Sequence, residues 1–345
     1  MIGSFCTAAM LAAGAKKELP KVVPQVNYEL SGGAGHYDYA PSFITDKYGI
    51  VYGYLCENRE PFKIVDYIYL YKGIPTREGI KWQPGTEVIE PSRTGWDDCH
   101  ICDPDVREFS TTYRGHTYKW IMTYLGVDQW DCNHNQVGIA LADNIEGPWE
   151  KYPKPIIPYD KWGTGQSTSI VLNDSTIATF YHSTTENGPF AMRLINLKDL
   201  EKIDIGEEYA VPFLSANTYV AVSDEYIYTV SEGRSENYEK IVPTWVGDIC
   251  VVRCKPRSGD LVADMTSPVD EWIEIGRVTP ELSGFPRNHN PGFLTDSRGW
   301  LPSEDSLTVY FTPAVTGDDW LWSYDLYSAV FDLKDFNKKL KTNKK

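Results

Sequence analysis

The chain has 345 residues and a net charge of −15, with 48 acidic against 33 basic side chains. That balance argues against nucleic acid or an anionic membrane as a partner, because phosphate groups are bound by basic faces. Hydrophobic residues make up 42% of the chain, enough for a large core, and Tyr and Trp number 23 and 11. With no long stretch of helical periodicity, this composition predicts an all-β protein.

Residues 1–20 form the first predicted segment. Cys6–Ala15 is apolar and small, and it ends in Ala13-Gly14-Ala15, the small-x-small pattern of a secretory cleavage site. The segment is too short to span a bilayer. We expect a signal-peptide-like or disordered N-terminus and a periplasmic or secreted protein, with a lipid anchor on Cys6 as an alternative. No membrane span is predicted.

Residues 21–335 repeat one pattern five times, with anchors at about 50–70 residue intervals, which is typical of propeller blades. First strands are predicted at 38–44, 102–106, 165–170, 217–222 and 288–294. Second strands are predicted at 49–55, 118–125, 176–181, 226–230 and 307–312, and third strands at 66–71, 136–142, 189–195, 248–253 and 322–331. The pattern predicts a single domain, a five-bladed β-propeller.

The two ends of the chain complete this prediction. Four repeats have an outer fourth strand, whereas the fifth has nothing after Phe331 except a charged tail. Propellers close the ring with a strand from the other terminus, which removes two sheet edges, and Lys21–Leu30 is the predicted donor. Residues 336–345 are predicted to be a solvated basic tail.

Histidines indicate which face of this disc is functional. First strands start at the face to which the loops between second and third strands return. Five of the six histidines lie at that face on this topology, and His116 lies opposite. The five are His36, His100, His134, His182 and His289.

Acids and aromatics collect at the same face. The acids are Asp38, Asp103, Asp105, Glu57, Asp128, Asp131, Glu186, Glu232 and Asp318, accompanied by Arg59, Arg234 and Arg287. The aromatics are Tyr37, Trp96, Trp130, Trp162 and Trp320. Carboxylates beside stacking rings predict a carbohydrate site.

Six cysteines beyond Cys6 permit disulfides in an exported protein. Cys99 and Cys102, with Cys132 and His134, also offer the ligand types of a zinc site. The second half is not a matched pair, so the zinc hypothesis is the weaker one.

Repeat two has the most specific motifs: Cys102-Asp103-Pro104-Asp105-Val106 at a strand start and Gly147-Pro148-Trp149 at the end of the repeat. In these the chain resembles the five-bladed propeller glycosidases, especially family 43 of the glycoside hydrolases. The resemblance implies hydrolysis with inversion by three acids: a base in blade one, a pKa-modulating Asp in blade three and a general acid in blade four. An inverting pair of carboxyls stands about 6.5–9.5 Å apart to seat a water.

The match to that pattern is incomplete. Asp38 is the candidate base, but Gln166 stands where the modulating Asp is expected and Asn217 where the acid Glu is expected. His289 matches the family's axial histidine, which orients a water or a cation, so the resemblance also allows a central Ca²⁺.

Because two expected carboxylates are missing, other residues are assigned to the roles of general acid and substrate binding. The substitute acids are Glu186, Glu232, His289 and His182, while Asp103 and Asp105 are expected to shape the site. The residues expected to bind substrate are His36, Asp105, His134, Gln166, His182, Trp130, Trp320 and Arg234.

The leading hypothesis is a glycoside hydrolase acting on plant or algal oligosaccharides. One alternative is a non-catalytic carbohydrate-binding propeller, favoured by the two missing carboxylates. A second is a glycoside phosphorylase, for which Arg59, Arg234 and Arg287 would form the phosphate pocket.

Overall fold

The computed structural model describes residues 19, 21–130, 134–158, 164–183, 190–212, 217–233 and 250–343. The N-terminal cleavage signal, the lipid-anchor site, Cys132, Asp131, Trp162, Glu186 and Arg234 lie outside these residues.

The described chain is built almost entirely of β-strands. The strands are β1 (Gln25–Leu30), β2 (Asp38–Thr45), β3 (Val51–Asn58), β4 (Asp66–Thr76), β5 (Gly79–Trp82), β6 (Thr86–Ile89), β7 (His100–Tyr113), β8 (His116–Val127), β9 (Gln136–Ala142), β10 (Glu150–Lys151), β11 (Gly165–Val171), β12 (Thr176–His182), β13 (Phe190–Asn196), β14 (Asp204–Ile205), β15 (Tyr209–Ala210), β16 (Thr218–Val222), β17 (Tyr226–Ser231), β18 (Cys250–Pro256), β19 (Ile273–Val278), β20 (Arg287–Thr295), β21 (Ser306–Ala314) and β22 (Leu326–Asp332). The helices are α1 (Leu261–Met265), α2 (Pro280–Ser283) and α3 (Lys334–Asn343), with short 3₁₀ turns at Leu200–Lys202, Val269–Glu271 and Leu321–Ser323. The all-β prediction is confirmed.

Consecutive strands pair antiparallel within groups that follow the predicted repeats. The groups are β2 to β6, β7 to β10, β11 to β15, β16 to β19, and β20 to β22. The N-terminal strand β1 pairs antiparallel with β22, with Gln25 opposite Val330. A short parallel pairing, Phe43 opposite Leu294, connects β2 to β20.

Apolar side chains fill the spaces between neighbouring groups. Separate clusters lie between the first and second groups, the second and third, the third and fourth, and the fourth and fifth. A fifth cluster, which includes Phe43 and Tyr310, joins the last group to the first. Strands between these clusters can therefore be buried on both faces: all eight residues of β3 are buried.

The C-terminal residues differ from the prediction. The expected solvated tail is instead α3, and Phe336 and Leu340 of this helix are buried against the cluster between the fourth and fifth groups. Their spacing of four residues places both on one helix face. The many lysines of this segment obscured its apolar helical pattern in the sequence.

The cysteines also correct an expectation. Cys56 of β3 and Cys102 of β7 form a disulfide between the first two groups. Zinc binds thiolates, so Cys102 is excluded as a ligand and the zinc hypothesis is wrong. Cys99, Cys250 and Cys254 are buried. Among the described residues, no helix is both long and apolar enough to cross a membrane.

Candidate functional site

Four of the first strands open with the same backbone distortion. Ala40, Asp103, Gln166 and Asn290 have φ of +52°, +46°, +52° and +44°, and the strand register shifts at each of them. Such β-bulges re-aim the chain and cluster at functional sites, because the strain persists only where the surroundings impose it. The sequence signal was the recurring anchor immediately after three of these residues, a proline.

These bulges surround a narrow channel. Residues in or directly before five first strands line it, including Ala40, Asp103, Gln166, Asn217 and Asn290. Its free volume is about 40 Å³. A water needs about 10–15 Å³ of such volume. The channel therefore accommodates an ion or a few waters.

Asp103 is the carboxyl group in the lining of this channel. Burial, followed by the negative charge of Asp66, raises its pKa from 3.8 to about 7. Its backbone N–H donates to Sγ of Cys56 over 3.0 Å, which ties the bulge to the disulfide. A carboxyl group with a pKa near neutrality is suited to general acid–base chemistry.

The channel also contains buried oxygen atoms that could hold a cation. Gln166 Oε1, Thr168 Oγ1 and Asn290 Oδ1 are buried without a hydrogen-bond partner in the described structure. All three residues line the channel. Calcium prefers such carbonyl and hydroxyl oxygens, so the residues present fit a cation.

Glu232 and His289 form a tightly bonded pair beside the channel. His289 Nδ1 donates to Glu232 Oε1, which also accepts from Asn217 Nδ2 over 2.5 Å and from the backbone N–H of Asn290 over 3.1 Å. Burial alone would raise the pKa of Glu232, but His289, Arg287 and the Asn290 N–H outweigh it and hold that pKa below its ordinary value. Burial lowers the pKa of His289, whereas the negative charge of Glu232 acts to raise it. The pair therefore favours a neutral imidazole oriented by a carboxylate, the arrangement of a general base.

An aromatic wall supports this pair. Tyr324 stacks on His289, with ring centroids 5.5 Å apart, and Trp320 packs edge-on against Tyr324. Arg287 Nη1 donates to the Tyr324 hydroxyl over 2.7 Å, and Nη2 lies 2.8 Å from His289 Nδ1. Trp320, predicted from sequence, thus lies in the wall and contacts Tyr324, the ring that stacks on His289.

Asp38 is placed differently from a base that acts on water. Its side chain is fully buried, and Oδ2 accepts the Gly32 N–H over 2.5 Å. The Tyr71 hydroxyl lies 2.7 Å from Glu57 Oε2 and 3.4 Å from Asp38 Oδ1, so one hydroxyl serves both carboxyls. Burial and then the charge of Glu57 raise the pKa of Asp38 well above its ordinary range, and burial raises that of Glu57. Sequence reasoning put Glu57 at this face but missed Tyr71. Strand register pairs Tyr71 with Gly53, so only the side-chain contacts of the folded chain show that it meets these carboxyls.

Asp105 is enclosed by protein. Its Oδ1 lies 2.7 Å from Arg107 Nη2 and accepts from the Tyr219 hydroxyl over 2.9 Å, while Oδ2 accepts the Ser169 N–H over 2.7 Å. Burial raises its pKa to about 6 although Arg107 opposes the shift. Both oxygens are engaged, so Asp105 links the second, third and fourth groups and offers a substrate no free oxygen.

The other predicted residues are dispersed around the face. His36 Nδ1 is 3.0 Å from the Asn58 carbonyl, and His134 Nδ1 is 3.1 Å from Asp128 Oδ1. Trp130 is 68% exposed, and its ring meets that of the buried His100. Burial lowers the pKa of His182 to about 4.

Arg59 is not available to a phosphate. It contacts Glu87 Oε1 over 2.5 Å and Glu90 Oε2 over 2.9 Å. This removes one of the three arginines on which the phosphorylase alternative depends.

Comparisons by sequence identify no relative: no family model matches the chain, and no curated protein does. Solved structures do match. A family 117 glycoside hydrolase from Zobellia galactanivorans superposes with a TM-score of 0.58 at 14% identity, over 90% of each chain. The α-L-arabinofuranosidase PaAbf62A of Podospora anserina gives 0.58 at 9% identity, over 92% of this chain and 99% of that one. A GH43_1 enzyme of Xanthomonas citri, solved with xylotriose, gives 0.52 at 11% identity, over 88% and 90%.

These likenesses extend over most of every chain compared. At such low identity they show the fold. The chain has the fold of the propeller glycoside hydrolases, as the motifs of repeat two predicted.

Proposed function

We propose that this protein is a glycoside hydrolase built as a five-bladed β-propeller, with β1 completing the last blade. The strand groups, the pairing of β1 with β22 and the five apolar clusters between successive groups support this architecture. One observation supports the activity above all. Asp103 lines the channel, and Glu232 of the Glu232–His289 pair is hydrogen-bonded to two lining residues, Asn217 and Asn290. The pKa of Asp103 is raised, whereas those of Glu232 and His289 are lowered.

A carboxyl group with a raised pKa can act as the acid, and a group with a lowered pKa can act as the base, of an acid–base hydrolase. Asp103, with a pKa of about 7, keeps its proton in the acidic to neutral range and donates it to the glycosidic oxygen as the bond to the anomeric carbon breaks. The Glu232–His289 pair accepts a proton from the water whose oxygen joins that carbon. Attack from the face opposite the leaving group gives inversion.

This assignment moves the general base from Asp38 to the Glu232–His289 pair. Asp38 becomes a buried carboxyl that shares Tyr71 with Glu57. Glu57, at 8% exposed, is the less buried member of that pair.

A channel cation would be held by Gln166, Thr168 and Asn290. When bound, it would supply positive charge beneath the sugar. The described cluster of metal-type ligands, Cys56, Cys102 and Asp103, contains the disulfide and does not fit a metal.

The substrate class is carbohydrate, which we narrow to plant or algal oligosaccharides. The Cys56–Cys102 disulfide supports a secreted or periplasmic location, because disulfides persist in oxidising compartments.

The test is product release from arabinosyl, xylosyl, fucosyl and galactosyl oligosaccharides by the wild type, Asp103→Asn and Glu232→Gln. We expect both variants to lose about 10²–10⁴-fold in kcat. On an aryl glycoside whose phenol leaves without protonation, Asp103→Asn should recover most of its activity, whereas Glu232→Gln should not. Full activity of either variant on oligosaccharides would contradict its assigned role.

The non-catalytic sugar-binding propeller is the second candidate, favoured by Gln166 and Asn217 at positions where the resembling family has carboxylates. Retained oligosaccharide binding without any product, with or without phosphate, would establish it.

A further inference from the structure

A pair of aromatic rings, one exposed and one half-buried, lies near the ends of β2 and β3 that carry Asp38 and Glu57. Phe62, in the loop from β3 to β4, meets Trp322 edge-on, with ring centroids 5.4 Å apart. Phe62 is nevertheless 67% exposed. The pair joins a loop of the first strand group to one of the last.

The backbone holds Phe62 in this place at a conformational cost. Its φ is +60°, a left-handed conformation that is an outlier for a bulky residue. The Phe62 N–H donates to the Gly35 carbonyl over 2.8 Å. A Cβ on Gly35 would stand 2.6 Å from the Phe62 ring, so glycine is required beneath it. Burial does not compensate for this strain, since most of the ring is in water.

The pair is continuous with the candidate site. Trp322 packs against Tyr37, with ring centroids 5.9 Å apart, and Asp38 follows Tyr37 directly. His36 Nδ1 contacts the Asn58 carbonyl, and Asn58 follows Glu57. A ligand lying on Phe62 and Trp322 would therefore be near the start of β2 and the end of β3, the strand ends that carry Asp38 and Glu57.

The charged residues of the loop from β3 to β4 favour a neutral sugar over an anionic one. Its two cations are both paired with glutamates: Arg59 with Glu87 and Glu90, and Lys63 with Glu60 over 3.0 Å. Asp319, three residues before Trp322, is exposed. A sulfated or uronic sugar would find no unpaired partner in this loop, whereas a neutral ring can stack its C–H face on the aromatic surface.

Building on the proposed function, we infer that Phe62 and Trp322 form a platform for a neutral sugar unit of the oligosaccharide, one that is not itself cleaved. The platform makes the protein selective for oligomers over single glycosides. Trp320 is not part of this pair: its ring packs against Tyr324, which in turn stacks on His289.

The test compares two substrates of the sugar identified by the panel above: a neutral oligosaccharide of three to five units and the aryl monoglycoside. Phe62→Ala keeps the Cβ and hence the backbone strain, and the exposed ring leaves no cavity. We expect Phe62→Ala and Trp322→Ala to lower kcat/KM for the oligosaccharide about tenfold, mainly through KM, because one stacking contact is worth about that factor. The monoglycoside should change less than about twofold, and Phe62→Tyr should restore the wild-type ratio.

Tyr48→Ala is the matched control, since Tyr48 is 72% exposed in the turn after β2, at the other end of the strands. Equal losses on both substrates, or none on the oligosaccharide, would overturn the platform while leaving the hydrolase standing. If the wild type cleaves nothing, the hydrolase fails. Calorimetry with the same oligosaccharides then decides: weaker binding in Phe62→Ala and Trp322→Ala but not Tyr48→Ala supports the platform, and unchanged or absent binding refutes it. A preference for a sulfated galacto-oligosaccharide over the neutral one would refute the charge argument.

Discussion

Replacing Asp103 with asparagine should stabilise the protein while removing activity. The carboxyl group has a pKa of about 7 in the folded chain against an ordinary 3.8. A raised folded pKa means that the native state binds the proton more tightly than the unfolded chain. The stability from Asp103 is therefore complete below pH 3.8 and is lost as the pH rises through 7.

The size of the effect follows from that difference. Each pKa unit corresponds to about 1.4 kcal/mol, so the ionisable side chain costs roughly 4 kcal/mol at pH 8 and roughly 2 kcal/mol at pH 5. Asparagine avoids the cost, and it tolerates the left-handed φ of +46° at this position as well as aspartate does. No hydrogen bond to the Asp103 carboxyl is described that the substitution would break.

Urea unfolding between pH 4 and pH 8 measures the prediction. The gain of Asp103→Asn over wild type should grow by about 2 kcal/mol between pH 5 and pH 8. Asp174→Asn is the control, because Asp174 is exposed in a turn and its substitution should give no such slope. A gain that does not depend on pH, or a loss at pH 8, would refute both the buried carboxyl and its role as the proton donor.

Two further predictions concern the core. Arg107→Met should cost about 3–5 kcal/mol in unfolding free energy, because it leaves Asp105 buried without its partner. Adding Asp105→Asn should recover part of that loss in the same denaturant titration; a double variant less stable than the single one would contradict the pairing. Phe336→Ala should cost about 3 kcal/mol, since its ring is 2% exposed in the core, whereas Lys338→Ala on the exposed side of α3 should change little. Equal effects of these two would mean that α3 does not pack as described.

Local pattern was enough to predict the strand class and the position of the repeats. Alternating apolar residues and a proline after three of the four bulges recur at regular intervals, and each is a property of neighbouring residues. The same regularity, with the strand topology, put histidines, acids and aromatics on one face. Glu232 and His289 were both named from sequence.

Tertiary structure alone decided how those side chains act. Asp38, Asp103 and Asp105 look alike in the sequence, as acids at strand starts. One is buried against Glu57, one lines the channel with a pKa near 7, and one is locked to Arg107. The partners come from distant parts of the chain: Tyr219 reaches Asp105 across 114 positions and His289 reaches Glu232 across 57. Proton affinity depends on burial and on charges within a few ångströms, and only the folded chain brings these together.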